Sequence, residues 1–192
     1  TTDRYGWTED TDGKWAYGLF VEGGRLRDEE GSKGRVALRK IAEEIPCQFR
    51  LTANQNVVIA RVDSSDKQKV NEIFSEYGII LPDQLSGIRL NSIACTALPT
   101  CSLALAESER YLPKLIDELE TIIDDLGLRE ESIAIRSTGC PNGCGRPYLG
   151  DDASATNIYL IENCTTGKYD VTYTPTVRGQ YHINVQTPAV DE

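Results

Sequence analysis

Apolar and polar positions along the chain change rhythm several times, and each change marks a predicted element. Thr1 to about Gly13 is polar and reads as loop. From Trp15 to Glu22 the large residues Trp15, Tyr17 and Leu19 alternate with Ala16, Gly18 and Phe20, which predicts a strand closed by a turn at Gly23-Gly24. Lys33 to Glu44 carries an apolar stripe at Val36, Leu38, Ile41 and Ala42, the spacing of a helix, and Pro46 ends it. Two short strands are expected next, Gln48 to Thr52 and Asn56 to Val62, joined by the polar turn Ala53-Asn54-Gln55. Asp63-Ser64-Ser65 offers caps for a helix from Asp66 to Tyr77 with Val70, Ile73 and Phe74 inward, and Gly78 stands where a helix stop belongs.

Strand, helix, two strands and helix in that order describe an α+β sandwich of the ferredoxin-like kind, ending near Pro82. A second region begins near Ile88. It contains a long predicted helix, Leu103 to Leu126, with Leu105, Leu112, Leu115, Ile116, Leu119 and Ile122-Ile123 on one face, and Gly127 terminates it. A strand from Ser132 to Arg136 then leads into a glycine-rich turn, Gly139 to Gly145. Beyond Asp151 the composition shifts to Thr, Asn, Tyr and Val, with strands expected at Asn157–Ile161, Tyr169–Tyr173 and Tyr181–Val185. The expected organisation is a ferredoxin-like repeat over 1–82, an α/β domain over 83–150 and a strand-rich tail over 151–192.

Composition narrows the function. The chain has 192 residues, enough for a real core, and 20 Lys plus Arg stand against 30 Asp plus Glu, a formal charge of −10. That balance argues against nucleic acid as a partner, because a nucleic-acid surface needs a basic face. With no apolar run of membrane length and no basic-then-apolar start, a soluble cytoplasmic protein with no membrane partner is expected.

The candidate chemistry lies in six cysteines. Cys95 and Cys101 are separated by five intervening residues, and Cys140 and Cys144 by three within Thr138-Gly139-Cys140-Pro141-Asn142-Gly143-Cys144-Gly145. Soft thiolates on tight turns suit iron, and four complete the coordination of a [4Fe–4S] cubane. Gly139, Gly143 and Gly145 allow the turn to approach such a body closely and to aim amides at its sulfides. Spacing by itself leaves two other readings open, a tetrahedral zinc site and three disulfides. Cys47 and Cys164 lack partners at such spacing and read as inert thiols.

The Cys-x5-Cys block and Thr-Gly-Cys-Pro-Asn-Gly-Cys-Gly-Arg resemble the signature of the siroheme and [4Fe–4S] sulfite and nitrite reductase hemoproteins. Tyr5-Gly6-Trp7, the strand Gly18-Leu19-Phe20-Val21-Glu22 and the block Phe49 to Asn56 extend the likeness to the second ferredoxin-like repeat, the C-terminal half, of assimilatory sulfite reductase. The likeness covers about residues 4–150. It implies an oxidoreductase that reduces sulfite to sulfide with six electrons, using a cluster held by Cys95, Cys101, Cys140 and Cys144. It also implies that Cys144 is shared, ligating one cluster iron and supplying the axial thiolate of siroheme, with Thr138, Asn142 and Arg146 beside it. Implied partners are sulfite, the N-terminal half of the hemoprotein, and a flavoprotein subunit or a ferredoxin as electron donor.

In the family most cations around siroheme come from the first half, and this chain resembles the second. The Arg50 to Gln55 block matches the repeat copy that faces away from the macrocycle, so Arg50, Thr52 and Gln55 are read as structural. After Gly150 the family's Gly-Lys-Ala-Pro-Gly-like segment is not seen, and His182, the sole histidine, lies outside the matched region. Gly143 favours sulfite over nitrite, since nitrite reductases often place serine there. The alternatives are a siroheme nitrite reductase and a cluster-bearing electron-transfer module without a substrate site.

Overall fold

A computed structural model describes residues 3–10 and 12–146 in full, and the backbone of 157–163, 168–174 and 181–185. The chain divides into two compact units, Thr2–Leu85 and Ser86–Glu192. Its class is α+β. Among the described residues no helix is long and apolar enough to cross a membrane.

In the first unit β1 (Gly6–Glu9) and β2 (Trp15–Leu19) form a hairpin, and a small ribbon of β3 (Asp28–Glu29) and β4 (Ser32–Lys33) precedes α1 (Gly34–Glu44). Then follow β5 (Gln48–Leu51), β6 (Val57–Val62) and α2 (Lys67–Glu76). The sheet order is β1-β2-β6-β5, antiparallel throughout. Strand β1 corrects the expectation of loop before Gly13. It has one large apolar residue and so no alternation to read, but Trp7 lies opposite Tyr17 and their rings meet edge-to-face at 5.0 Å.

Ala37, Leu38 and Ile41 of α1 and Val70, Ile73 and Phe74 of α2 are buried with Tyr17, Leu19, Val57, Ile59 and Val62 of the sheet in one core. Val36, expected on the buried stripe, is exposed, and Ala37 takes its place. Ile59 and Val62 are both inward although three residues apart. A bulge explains this: two residues of β6, Ala60 and Arg61, oppose Ala16 alone, and Arg61 adopts φ 62°. Burial also pushes the Tyr17 hydroxyl up to about 12, with Asp83 adding to it. Asp63 does not cap α2 through its side chain; its Oδ1 instead accepts from Lys14 Nζ at 2.5 Å.

The turn after β5 has a structural task. Asp3 accepts hydrogen bonds from Thr52 Oγ1 at 2.6 Å, Asn54 Nδ2 at 2.9 Å and Asn56 Nδ2 at 2.8 Å. Asn56 Oδ1 meanwhile accepts from the buried Val21 amide at 2.9 Å, so the block ties the start of the chain to the sheet.

The second unit contains α3 (Gly87–Asn91), β7 (Ile93–Ala94), α4 (Leu112–Asp125), β8 (Ile135–Ser137), β9 (Asn157–Asn163), β10 (Lys168–Thr174) and β11 (Tyr181–Val185). Its sheet order is β11-β10-β9-β8-β7, with β7, β8 and β9 parallel and β9 to β11 an antiparallel meander. The three tail strands thus continue the sheet that carries the second cysteine block. Ile88, Leu112, Leu115, Ile116, Ile123 and Ile135 form the core here.

The expected helix from Leu103 is shorter, beginning at Leu112 with Pro113 in its first turn. Residues 103–111 cannot continue it because their amides are used elsewhere: Leu105 and Ala106 both donate to the Gly139 carbonyl, at 2.8 and 3.1 Å. Leu103 and Leu105 are accordingly exposed. The expected strand at Ser132 starts later, at Ile135, where pairing to β7 begins.

Candidate functional site

Strands β7 and β8 run parallel with Ala94 opposite Ser137, so Cys95 and Thr138 leave the sheet at the same end. That end, past the carboxyl termini of neighbouring parallel strands, is where open α/β sheets place ligands. The Cys95 amide donates to the Ser137 carbonyl at 3.1 Å, extending the ladder by one bond into the loops. The two cysteine blocks then interlock. Gly139 N–H donates to Cys95 Sγ at 3.2 Å, and the Gly139 carbonyl receives the Leu105 and Ala106 amides from beyond Cys101.

Close approach at Gly139 requires glycine. A Cβ there would lie 2.5 Å from Ala97 Cβ and 2.6 Å from the Ala106 carbonyl oxygen. Gly145 is equally confined, since a Cβ would run into the Ser137 carbonyl and lie 2.8 Å from Thr138 Oγ1. Within the first loop, Cys101 N–H donates to the Ala97 carbonyl at 2.7 Å, with Ala97 at φ 49° and a cis bond between Leu98 and Pro99. Within the second, Gly143 N–H donates to the Cys140 carbonyl at 3.4 Å and Arg146 N–H to the Gly143 carbonyl at 2.8 Å. Gly143 stands at φ 67°, a conformation that strains any other L-residue, so glycine has a backbone reason to be there whatever the substrate.

The candidate ligands differ in exposure. Cys95 is buried, Cys101 and Cys140 are half-buried, and Cys144 is exposed; all four are free thiols, as is Cys47. Burial pushes the Cys47 thiol up, which makes it less reactive. Cys164 lies outside the described residues. Thr138 and Arg146 are half-buried beside the turn and Asn142 is exposed at its tip. His182 sits on β11 opposite Thr172, on the edge strand far from β7.

Among the described residues no three His, Cys, Asp or Glu side chains gather as they would around a single metal ion. The structure therefore joins the two cysteine blocks through Gly139 and Cys95 without drawing the four sulfurs to one-ion spacing. A lone zinc would hold every sulfur about 2.3 Å from one centre. A cubane asks for less convergence, because each thiolate binds a different iron at a separate corner. The donor set is soft, two glycines keep side chains out of the interlock, and one amide already points at a sulfur.

Residues that spacing did not reveal also build the site. Ser108 Oγ donates to Ser137 Oγ at 2.8 Å in a buried pair, and the buried Glu109 donates its amide to the Cys95 carbonyl at 3.1 Å. Neither carries a sequence signal, since isolated serines and glutamates usually lie on the surface.

Residues 8–77 match the nitrite/sulfite reductase ferredoxin-like half domain. The chain is 51% identical over 164 residues to the sulfite reductase [NADPH] hemoprotein beta-component of Staphylococcus saprophyticus, covering 82% of this chain and 29% of that protein. It is 44% identical over 197 residues to the protein of the same description from Paenibacillus sp. strain JDR-2, covering 100% of this chain and 34% of the relative. That second alignment runs through the tail, so the likeness does not stop at Gly150 as expected. The solved structure of Mycobacterium tuberculosis NirA protein superposes with a TM-score of 0.68 at 21% identity, over 97% of this chain and 34% of that one, which shows a shared fold. The chain thus spans about a third of the length of the curated relatives it matches.

Proposed function

The chain belongs to the nitrite and sulfite reductase family, and from that premise we propose that it is the cluster-bearing C-terminal part of a siroheme sulfite reductase hemoprotein. The observation that carries this reading is the interlock of the two cysteine blocks, with Gly139 N–H on Cys95 Sγ at 3.2 Å. Cys95, Cys101, Cys140 and Cys144 would hold a [4Fe–4S] cluster, and Thr138, Asn142 and Arg146 would border siroheme. When bound, the coupled pair would relay, one at a time, the six electrons from an external donor that take sulfite to sulfide.

The chain's own residues would do the holding and tuning. The Gly139 residue, held by the two hydrogen bonds at its carbonyl, places its amide on the Cys95 sulfur, where it withdraws charge and so would favour a more reduced cluster. Cys144 is the exposed thiol of the four, which suits a sulfur that must bond a second iron outside its own turn. The ferredoxin-like repeat would act as scaffold: its Asp3–Thr52–Asn54–Asn56 network engages its polar groups with each other. Substrate cations, the remainder of the hemoprotein and a flavoprotein or ferredoxin donor would come from outside this chain.

Anaerobic purification followed by iron, acid-labile sulfide and siroheme analysis tests the reading. Four iron and four sulfide per chain are expected for a cubane, with a haem–cluster coupled EPR signature once siroheme is supplied. One zinc and no sulfide would overturn it. A cluster signal that siroheme leaves unchanged, with no sulfite turnover, would reduce the function to an electron-transfer module.

A further inference from the structure

We propose that Thr138 Oγ1 is a hydrogen-bond donor to sulfur held on the Cys140–Cys144 turn, so that this hydroxyl sets the cluster's potential; the inference rests on the cluster reading above. The side-chain oxygen of Thr138 is buried and, among the described residues, has no hydrogen-bond partner. A buried hydroxyl left unpaired costs free energy, and a valine of the same shape would avoid that cost. The hydroxyl next in sequence shows what this environment can provide: Ser137 Oγ is paired at 2.8 Å with Ser108 Oγ.

The position of the unpaired oxygen indicates its target. It lies 2.8 Å from where a Cβ on Gly145 would be, so it sits directly against the backbone that follows Cys144. The neighbouring amide, Gly139 N–H, already donates to a cysteine sulfur, Cys95 Sγ. Two donors from consecutive residues, one on the first cysteine block and one against the second, would surround a sulfur-rich body from two sides. Hydrogen bonds to cluster sulfur stabilise the reduced, more negative state. The threonine therefore acts on potential rather than on ligation.

The test compares Thr138→Val and Thr138→Ser with the parent chain, all purified anaerobically with the cluster in place. Thr138→Val is expected to keep the parent iron and sulfide content while its reduction becomes about tenfold less favourable, a fall of about 59 mV for a one-electron couple. Thr138→Ser, which retains the hydroxyl, should restore the parent potential. Urea unfolding of the metal-free chains is the control: Thr138→Val should be as stable as the parent or more so. An unchanged potential in Thr138→Val, or a metal-free Thr138→Val weaker than the parent, would overturn the proposal, the latter because the hydroxyl would then have a partner within the protein. Failure of Thr138→Val to hold a cluster that Thr138→Ser holds would also overturn it, because the hydroxyl would then act on cluster retention and not on potential. A parent chain without iron and sulfide would refute the cluster reading itself, and this inference with it.

Discussion

The two units of the chain are stabilised in different ways. In Thr2–Leu85 a single apolar core runs from the sheet to both helices, with Ile41, Ile59, Val62, Val70 and Phe74 wholly buried. In Ser86–Glu192 the apolar cluster lies along α3, α4 and the short strands, while the residues buried around the cysteines are small or polar: Ala97, Ser108, Glu109 and Ser137. Burying side chains such as Phe74 contributes about 1.5–3 kcal/mol each, without directional demands. The cysteine loops depend instead on a few directed hydrogen bonds converging on Gly139 and on contacts that exclude a methyl group. Around the cysteine blocks, four thiols stand outside any disulfide and, among the described residues, the Thr138 hydroxyl is buried without a hydrogen-bond partner.

Breaking the first unit alone is the strongest test of that contrast. Phe74→Ala removes the largest wholly buried side chain and should cost about 3–5 kcal/mol in urea unfolding followed by the Tyr17 environment. Iron and sulfide content in native buffer should not change. A parallel loss of cluster from Phe74→Ala would mean that the loops depend on the first core, and the distinction would fall.

Gly139→Ala is the reciprocal test, with a smaller expected effect on stability. A methyl group 2.5 Å from Ala97 Cβ forces the two cysteine blocks apart, and strain of this kind costs about 1–3 kcal/mol. The change should appear as lost cluster content and as faster hydrogen exchange at the Leu105 and Ala106 amides, whose acceptor is displaced. Amides of β6 and α2 should exchange as in the parent. Intact cluster in Gly139→Ala would show that the interlock is not what holds it.

The same contrast explains which elements the sequence revealed. Helices α1 and α2 and strand β6 follow apolar periodicity because packing against one face is what stabilises them, whereas β5, exposed along its length, is placed by its pairing with β6. Strand β1 was hidden because hairpin pairing and one ring contact, not alternation, place it. Leu103 and Leu105 suggested an early start for α4 because their spacing is helical, yet Gly139, more than thirty residues later in sequence, takes the amides that a helix would need. The cysteine positions were legible from spacing and family likeness. The Ser108–Ser137 pair and the orphaned Thr138 hydroxyl were not, since they arise from tertiary contacts with no local pattern.

The smallest expected effect separates the units by their acid sensitivity. Arg89 donates to both oxygens of Glu120, Nε to Oε1 at 3.0 Å and Nη2 to Oε2 at 2.7 Å, and Ser86 Oγ adds a bond at 2.5 Å, joining α3 to α4. The Arg89 hydrogen bonds hold the Glu120 carboxyl below its ordinary 4.5, against the opposing effect of burial. In the first unit, Lys40 likewise holds Glu76 down. A carboxyl depressed on folding contributes stability that is fully present above its unfolded pKa and is lost as pH falls through the folded value. Both pairs should therefore weaken their units only in the window from 4.5 downward. Salt should tell them apart. The Arg89 and Glu120 side chains are 14% and 19% exposed, against 29% and 54% for Lys40 and Glu76, so ions reach the second pair far more readily. Urea midpoints between about pH 3 and 7, at low and at about 1 M salt, should retain the Glu120 step in Ser86–Glu192 and lose the Glu76 step in Thr2–Leu85. Glu120→Gln should flatten the surviving step; a step that salt abolishes would show that the α3–α4 joint is no better shielded than the surface of the first unit, and one that remains in Glu120→Gln would show that another carboxylate, such as the Asp117 that also pairs with Arg89, carries it.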